Sequence, residues 1–340
     1  MTYSDLLKFM REEYMRKARV ALDATSYPDG KAYYQSKIRE FTTLDLSPEA
    51  IHQIGVAEGA KIRAEMEKTM KKTDFKGDFP AFLKFLRTDP RFYAKTGEEL
   101  LMRAAWISKR VDGKLSELFG TLPRARFTII PVPDDIAPFY TSGRGGPGVY
   151  LVNTYNLPAL TLHESAPGHA MQMSLAAEHR EQPEFRQRVY ISAYGEGWAL
   201  YTEKLGVLMG IYETPYEHFG MLTYQMWRAA RLVVDTGIHA RGWTRDQALA
   251  FLRDNTALAE HEITTEIDRY IAWPGQALSY YIGQMQIEKS RAQAEAALGA
   301  KFDLRAFHDT VLSLGSVTLP QLEARINRFI AEGGKGPEHP

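Results

Sequence analysis

His163-Glu164-Ser165-Ala166-Pro167-Gly168-His169 places two imidazoles and a carboxylate within seven residues, with a Pro-Gly pair between them. Zinc hydrolases need imidazole nitrogens on the metal and a carboxylate beside the water it activates. The segment offers all three at an unusual spacing. In H-E-x-x-H both histidines share one helical face. Here position i+4 from His163 is Pro167, and the second histidine arrives at i+6. On a regular helix, residues six apart lie about 240° around the axis and about 9 Å along it, so the two rings would not share a metal. Pro167 changes this, because it has no N–H for the His163 carbonyl and its ring clashes with that carbonyl. Gly168 adds freedom to leave helical angles. A kink or wide turn is expected, returning His169 to the face of His163. The chain has nine histidines, so spacing alone supports a plain helix-to-helix corner equally well.

Three downstream clusters carry further chemistry. Tyr194-Gly195-Glu196-Gly197-Trp198-Ala199-Leu200-Tyr201 lies in a helical stretch and puts Glu196 33 residues after His163, a separation comparable to that of zinc peptidases with a glutamate as third ligand. Gly195 and Gly197 each weaken a helix by about 1 kcal/mol relative to alanine, which predicts close approach of a neighbouring element beside Glu196. An isolated glutamate is more often solvated. In Trp227–His239, Asp235 and His239 are i,i+4 neighbours able to hydrogen-bond, and Arg228 and Arg231 share the face of Asp235. Such a pair serves equally as a catalytic device or as buried structure. Trp273-Pro274-Gly275-Gln276-Ala277-Leu278-Ser279-Tyr280-Tyr281 opens a helix at Pro274, and Tyr280 or Tyr281 could donate a hydroxyl to an oxyanion, although tyrosine pairs are more often core.

Most of the remaining chain reads as helix. Apolar positions Leu6, Leu7, Met10, Tyr14 and Ala18 recur at helical spacing over 4–24. Ser47-Pro48-Glu49 reads as an N-cap followed by Pro at the first helical position, opening a helix to about residue 71. Further helices are expected over 79–88 and 97–119. Arg126–Pro133 is β-rich, 143–148 is a glycine-rich loop, and Val149–Asn153 is a short strand. From 157 onward the chain is helical again, with breaks near 182, 213, 243, 273, 300 and 315. We expect one catalytic domain over 1–332, divided into a helical part (1–122), a small sheet (123–156) and a helical metal-site part (157–332), followed by a flexible tail (333–340).

Lys+Arg equals Asp+Glu at 42 each, which leaves no basic field for nucleic acid. The absence of cysteine excludes disulfides, thiolate ligands and a cysteine nucleophile. No apolar run is long enough to span a bilayer, and the acidic, amphipathic N-terminus lacks a signal-peptide core. No membrane association and a cytoplasmic location are expected.

Taken together, these segments resemble the bacterial family catalogued as domain of unknown function 885. Its hallmark, H-E-x-x-P-G-H-x-x-Q, stands here as His163, Glu164, Pro167, Gly168, His169 and Gln172. The pattern continues through Glu196–Tyr201, Arg231–His239 and Pro274–Tyr280, and upstream through Thr42-Thr43 and Ser47-Pro48-Glu49. The family is similar to the largely helical zinc peptidases of gluzincin type. This resemblance implies a mainly α fold with a small sheet preceding the active-site helix. It also implies a deep channel and one zinc ion per chain, held by His163, His169 and Glu196. Glu164 would be the general base, and Tyr280, Tyr281 or His239 would face the oxyanion. Arg228, Arg231 or Arg144 would hold a substrate carboxylate, and the edge strand ending at Asn153 would pair with an extended peptide. The N-terminus is shorter than in many relatives, which implies a more open channel or cover from a second copy in a homo-oligomer.

The expected activity is hydrolysis of a peptide or amide bond by a carboxypeptidase or oligopeptidase. Two other readings stand beside it: a small-molecule amidase on the same zinc site, and a helical binding protein with a non-catalytic site. No G-x-S-x-G turn supports a serine hydrolase.

Overall fold

The structure is a computed structural model that describes residues 2–133, 144–146, 149–152, 156–313 and 315–337, with the strand residues 144–146 and 149–152 described by their backbone. It is mainly helical, as expected. The N-terminal half holds α1 (Tyr3–Phe9), which runs through a π-helical turn into α2 (Met15–Lys17), then α3 (Gly30–Thr42), α4 (Pro48–Met70), α5 (Phe79–Thr88), α6 (Gly97–Asp112) and α7 (Leu115–Leu118). Strands β1 (Thr128–Pro131), β2 (Arg144–Gly146) and β3 (Val149–Val152) follow. The C-terminal half comprises α8 (Leu157–Glu164), α9 (His169–Glu178), α10 (Glu184–Arg188), α11 (Ser192–Leu208), α12 (Pro215–Arg241), α13 (Arg245–Asn255), α14 (Glu260–Ala272), α15 (Ser279–Leu298), α16 (Leu304–Leu312) and α17 (Leu319–Ala331).

Local chemistry starts the long helices. The Ser47 hydroxyl accepts from Ala50 N–H with Pro48 at the first turn, and Thr214, Thr244 and Thr318 open α12, α13 and α17 through capping boxes with Glu217, Gln247 and Gln321. Helix α12 is the axis of the protein. It packs along α4 and also touches α3, α8, α11, α13, α14 and α15, and it is buried continuously from Met221 to His239. A helix enclosed on all sides must pair every charge it carries. One hydrophobic core extends from Ala24 to Phe329 and joins both halves around it.

Several boundaries differ from the sequence reading. Helix α3 was not anticipated, because Gly30-Lys31 and the polar spacing of Tyr33-Tyr34-Gln35-Ser36 blur its periodicity; its buried face is Tyr34, Ile38 and Thr42. The helix expected over 4–24 ends at Lys17, and Leu6, Leu7, Met10 and Tyr14 are exposed. A break at 256–259 separates α13 from α14. The sheet order is β1-β3-β2, with β3 parallel to β1 and antiparallel to β2. The strand beginning at Val149 is therefore central, not an edge. The edges are β1 and β2, and β2 is drawn from the stretch predicted to be loop, because glycines keep the N–H and C=O that a ladder needs. Asn153 lies outside the described residues. Among the described residues no helix is long and apolar enough to cross a membrane.

Candidate metal centre

The segment 163–169 is a corner between two helices. Helix α8 ends at Glu164 and α9 begins at His169. Ser165 N–H still donates to the Thr161 carbonyl at 2.9 Å, after which the chain turns through a cis Ala166–Pro167 bond. The return is tight at Gly168, where a Cβ atom would lie 1.8 Å from the His163 carbonyl oxygen. Only glycine fits a backbone folded this closely on itself. The Trp198 indole N–H donates to the Pro167 carbonyl at 2.8 Å, pinning the corner to α11.

This corner brings the two histidines together. Their ring centroids are 4.9 Å apart and their planes nearly perpendicular. Glu196, on α11, reaches both: its Oε2 lies 3.2 Å from His169 Nε2 and 3.6 Å from His163 Nε2. One ligand atom from each of the three residues falls within 4.8 Å of the others. The flanking glycines explain how α11 delivers this carboxylate. A side chain at Gly197 would strike the backbone of Gly283 on α15, and one at Gly195 would strike the Tyr190 hydroxyl. The close approach inferred from the two glycines is thus a helix crossing on one side and a tyrosine on the other.

Two residues outside the sequence reading complete the surroundings. Glu203, fully buried two turns after Glu196, accepts from His163 Nδ1 at 2.9 Å. That bond fixes the ring so that Nε2 faces Glu196 and His169, the usual arrangement behind a metal-bound imidazole. Its signal was the i,i+7 spacing from Glu196, which keeps both carboxylates on one helical face. The Tyr190 hydroxyl donates to Glu196 Oε1 at 3.3 Å. Although much of the Tyr190 ring is exposed, its phenol end is enclosed. Burial there, with the charges of Glu196 and Glu164, pushes its pKa well above the ordinary value and keeps it a donor.

The electrostatics follow from burial among carboxylates. Burial opposes charge on His163, but hydrogen bonds to Glu196 and Glu203 outweigh it and hold the imidazole up at about 9. Burial likewise opposes charge on Glu196, but the two histidines hold its carboxyl well below the usual range. A dication would replace the proton as partner of these carboxylates. Two imidazole nitrogens and one carboxylate oxygen are a donor set that could hold a divalent metal ion.

The other candidates separate clearly. Glu164 is buried beside His163. Tyr280 stacks almost parallel to His163 at 6.4 Å; its hydroxyl accepts from Arg269 Nη2 at 3.2 Å, which leaves its own proton to donate. Tyr281 points elsewhere and donates to Glu58 at 3.0 Å, so it does not face the metal group. His239 is also withdrawn: Nδ1 accepts from Ala24 N–H at 3.0 Å, and Nε2 donates to the Tyr270 carbonyl at 2.9 Å. The expected Asp235–His239 bond gives way to others, since Asp235 accepts from the Tyr34 hydroxyl at 2.6 Å and from Gly275 N–H. Arg231 pairs with Glu266 and the Tyr270 hydroxyl, both at 2.7 Å, while its Nη1 has no hydrogen-bond partner among the described residues. Arg228 stands 3.8 Å from Glu203 against Trp227 and Tyr224. Its Nε and Nη1 have no hydrogen-bond partner among the described residues.

Comparison with known proteins completes the description. Residues 1–326 match the profile of the family described as bacterial protein of unknown function (DUF885). No curated protein matches the chain. A crystal structure from Colwellia psychrerythraea, provisionally described as a lipoprotein, superposes with a TM-score of 0.92 at 34% identity over 96% of this chain. A structure from Shewanella oneidensis, provisionally described as a lipoprotein of unknown function, gives 0.73 at 19% identity over 94% and is similar in fold. The chain spans 60% and 62% of the length of these two proteins.

Proposed function

We propose that this chain, which belongs to the bacterial DUF885 family, is a zinc-dependent hydrolase of peptide or amide bonds with a gluzincin-like site. The observation that carries the reading is the convergence of His163, His169 and Glu196 on one point, with Glu164 next in sequence to a ligand. Zinc held there supplies Lewis acidity toward a carbonyl and toward water. Glu164 takes the proton of the attacking water on its carboxylate and passes it to the leaving nitrogen. Tyr280 donates its hydroxyl proton to the developing oxyanion, with Arg269 behind it. Arg228 and Arg231, each with an unpartnered donor among the described residues, are the arginines offered to a substrate carboxylate. Edge strand β2 adjoins α8 and α9, and its glycines at 145 and 146 let an extended peptide pair alongside.

Replacing Glu164 by Gln tests the reading: hydrolysis of a peptide panel should vanish while zinc stays near one per chain. Retained turnover in that variant sinks the general-base role. Metal analysis of His163→Ala, His169→Ala and Glu196→Ala tests the ligands, and undiminished zinc in any one removes that residue from the set. Peptides with free and blocked termini, set against simple amides, separate a peptidase from an amidase. A purified wild-type chain that neither holds zinc nor is stabilised by it is a binding protein instead. The descriptions of the two structural neighbours as lipoproteins set an envelope location against the cytoplasmic expectation, and cell fractionation decides between them.

A further inference from the structure

Behind His163 a path of buried side chains leads from the metal-ligand group to the surface. Lys204 Nζ donates to Glu288 Oε1 at 2.6 Å. Gln284 Nε2 donates to the same oxygen at 2.9 Å and to Gln225 Oε1 at 2.8 Å. Gln225 Nε2 donates to Glu203 Oε2 at 3.3 Å and to the Leu200 carbonyl at 3.2 Å. Glu203 Oε1 then accepts from His163 Nδ1. The path crosses α15, α12 and α11 before reaching α8, and Gln225, Gln284 and Glu203 are all buried.

Its direction is set by chemistry. A carboxylate only accepts, so Gln284 must turn its NH2 group to Glu288, and the second proton of that group goes to Gln225. Gln225 must therefore present its carbonyl to Gln284 and its NH2 to Glu203. Flipping either amide sets oxygen against oxygen at one end. The alternative partner for Glu203 is close by: Arg228 Nη2 lies 3.8 Å away, and Arg228 Nε and Nη1 have no partner among the described residues. Gln225 holds Glu203 against that pull.

We infer that Gln225 and Gln284 are positioning residues that set the metal affinity of the site. They keep Glu203 where it receives the His163 Nδ1 proton, and so keep His163 Nε2 facing His169 and Glu196. The inference rests on the zinc reading above. Without Gln225, Glu203 swings toward Arg228 and His163 loses its orientation. Outer partners of metal-bound histidines typically change affinity by about 10–100-fold.

The test is the zinc dissociation constant of the full chain by chelator competition, for wild type, Gln225→Met, Gln284→Met, Glu203→Gln and the Gln225→Met/Glu203→Gln double variant. Methionine keeps the length of glutamine and removes its polar atoms. Gln225→Met should weaken zinc about tenfold or more, and Gln284→Met should shift it the same way. In the Glu203→Gln background Gln225→Met should add less than about twofold, because residues acting through one partner are not additive. Glu288→Leu, at the half-exposed end of the path, keeps the fold and carries the test if the buried variants do not fold. Wild-type affinity in every folded variant overturns the inference alone. An equal loss with and without Glu203 also overturns it, assigning the glutamines a merely structural role. A wild-type chain that binds no zinc overturns the zinc reading and takes this inference with it.

Discussion

Zinc binding to this chain should strengthen with pH, and His163 sets the size of the effect. Burial opposes the imidazolium, but Glu196 and Glu203 outweigh burial and hold its pKa at about 9. A metal needs the neutral ring, so each zinc must expel this proton. Near pH 7, well below that pKa, only on the order of 1% of His163 is neutral, which weakens zinc on the order of 100-fold relative to a neutral ring. Apparent affinity should therefore rise about tenfold per pH unit between about pH 6 and 8, with about one proton released per zinc. Isothermal titration in two buffers of different ionisation enthalpy, repeated at about pH 6, 7 and 8, reads both quantities. Flat affinity across that range, or zinc uptake without proton release, refutes the reasoning. The metal-free protein carries the mirror image. The folded pKa of His163 lies above the unfolded value of 6.5, so its contribution is complete below about pH 6.5 and is lost as pH rises through about 9. Glu196 is depressed below 4.5, so its contribution is present above that value and is lost on acidification. The melting temperature of metal-free protein should fall between about pH 6.5 and about pH 9, and zinc should remove that fall.

Four substitutions extend the argument. Gly168→Ala forces a methyl group into the His163 carbonyl; we expect a loss of about 1–3 kcal/mol or more in urea unfolding, with zinc affinity reduced as well. Tyr280→Phe should lower kcat about 100- to 1000-fold with zinc content intact, whereas Tyr281→Phe should leave kcat nearly unchanged, because its hydroxyl meets Glu58; equal losses in the two variants would contradict the placement of Tyr280. His239→Leu strands the buried Ala24 N–H and Tyr270 carbonyl, so thermal unfolding should show a cost of about 1–3 kcal/mol per lost partner, with KM unchanged in protein that remains folded.

Much of the architecture was readable from local pattern. The cap at Ser47 and Pro48, the apolar spacing through α4 and the breaks near 213, 243 and 300 each act within one turn of chain, so sequence exposes them. Helix α3 was not readable, because its buried face of Tyr34, Ile38 and Thr42 is discontinuous and partly polar. Strand β2 was not readable either, since two glycines carry no strand signal until a neighbour supplies their ladder. At the site, His163, Glu164, His169 and Glu196 announced themselves through residue type and the glycines around them. Tyr190 gave no warning, because its hydroxyl matters only through the packing of its ring against Gly195. His239 and Tyr281 looked equally functional in sequence, and each is spent on partners far away in the chain.

The sequence by itself determined that His163 and His169 could not share one helical face, and that Pro167 and Gly168 would break the helix between them. Both follow from covalent chemistry, the missing proline N–H and the missing glycine side chain, and need no neighbour. Only the tertiary structure decided where the break led. Trp198 holds the corner, Gly197 and Gly283 let α11 and α15 close, and Glu203, steadied by Gln225, turns His163 toward Glu196. These contacts join residues remote in the chain, and their distances are set by how the helices pack rather than by spacing along any one of them.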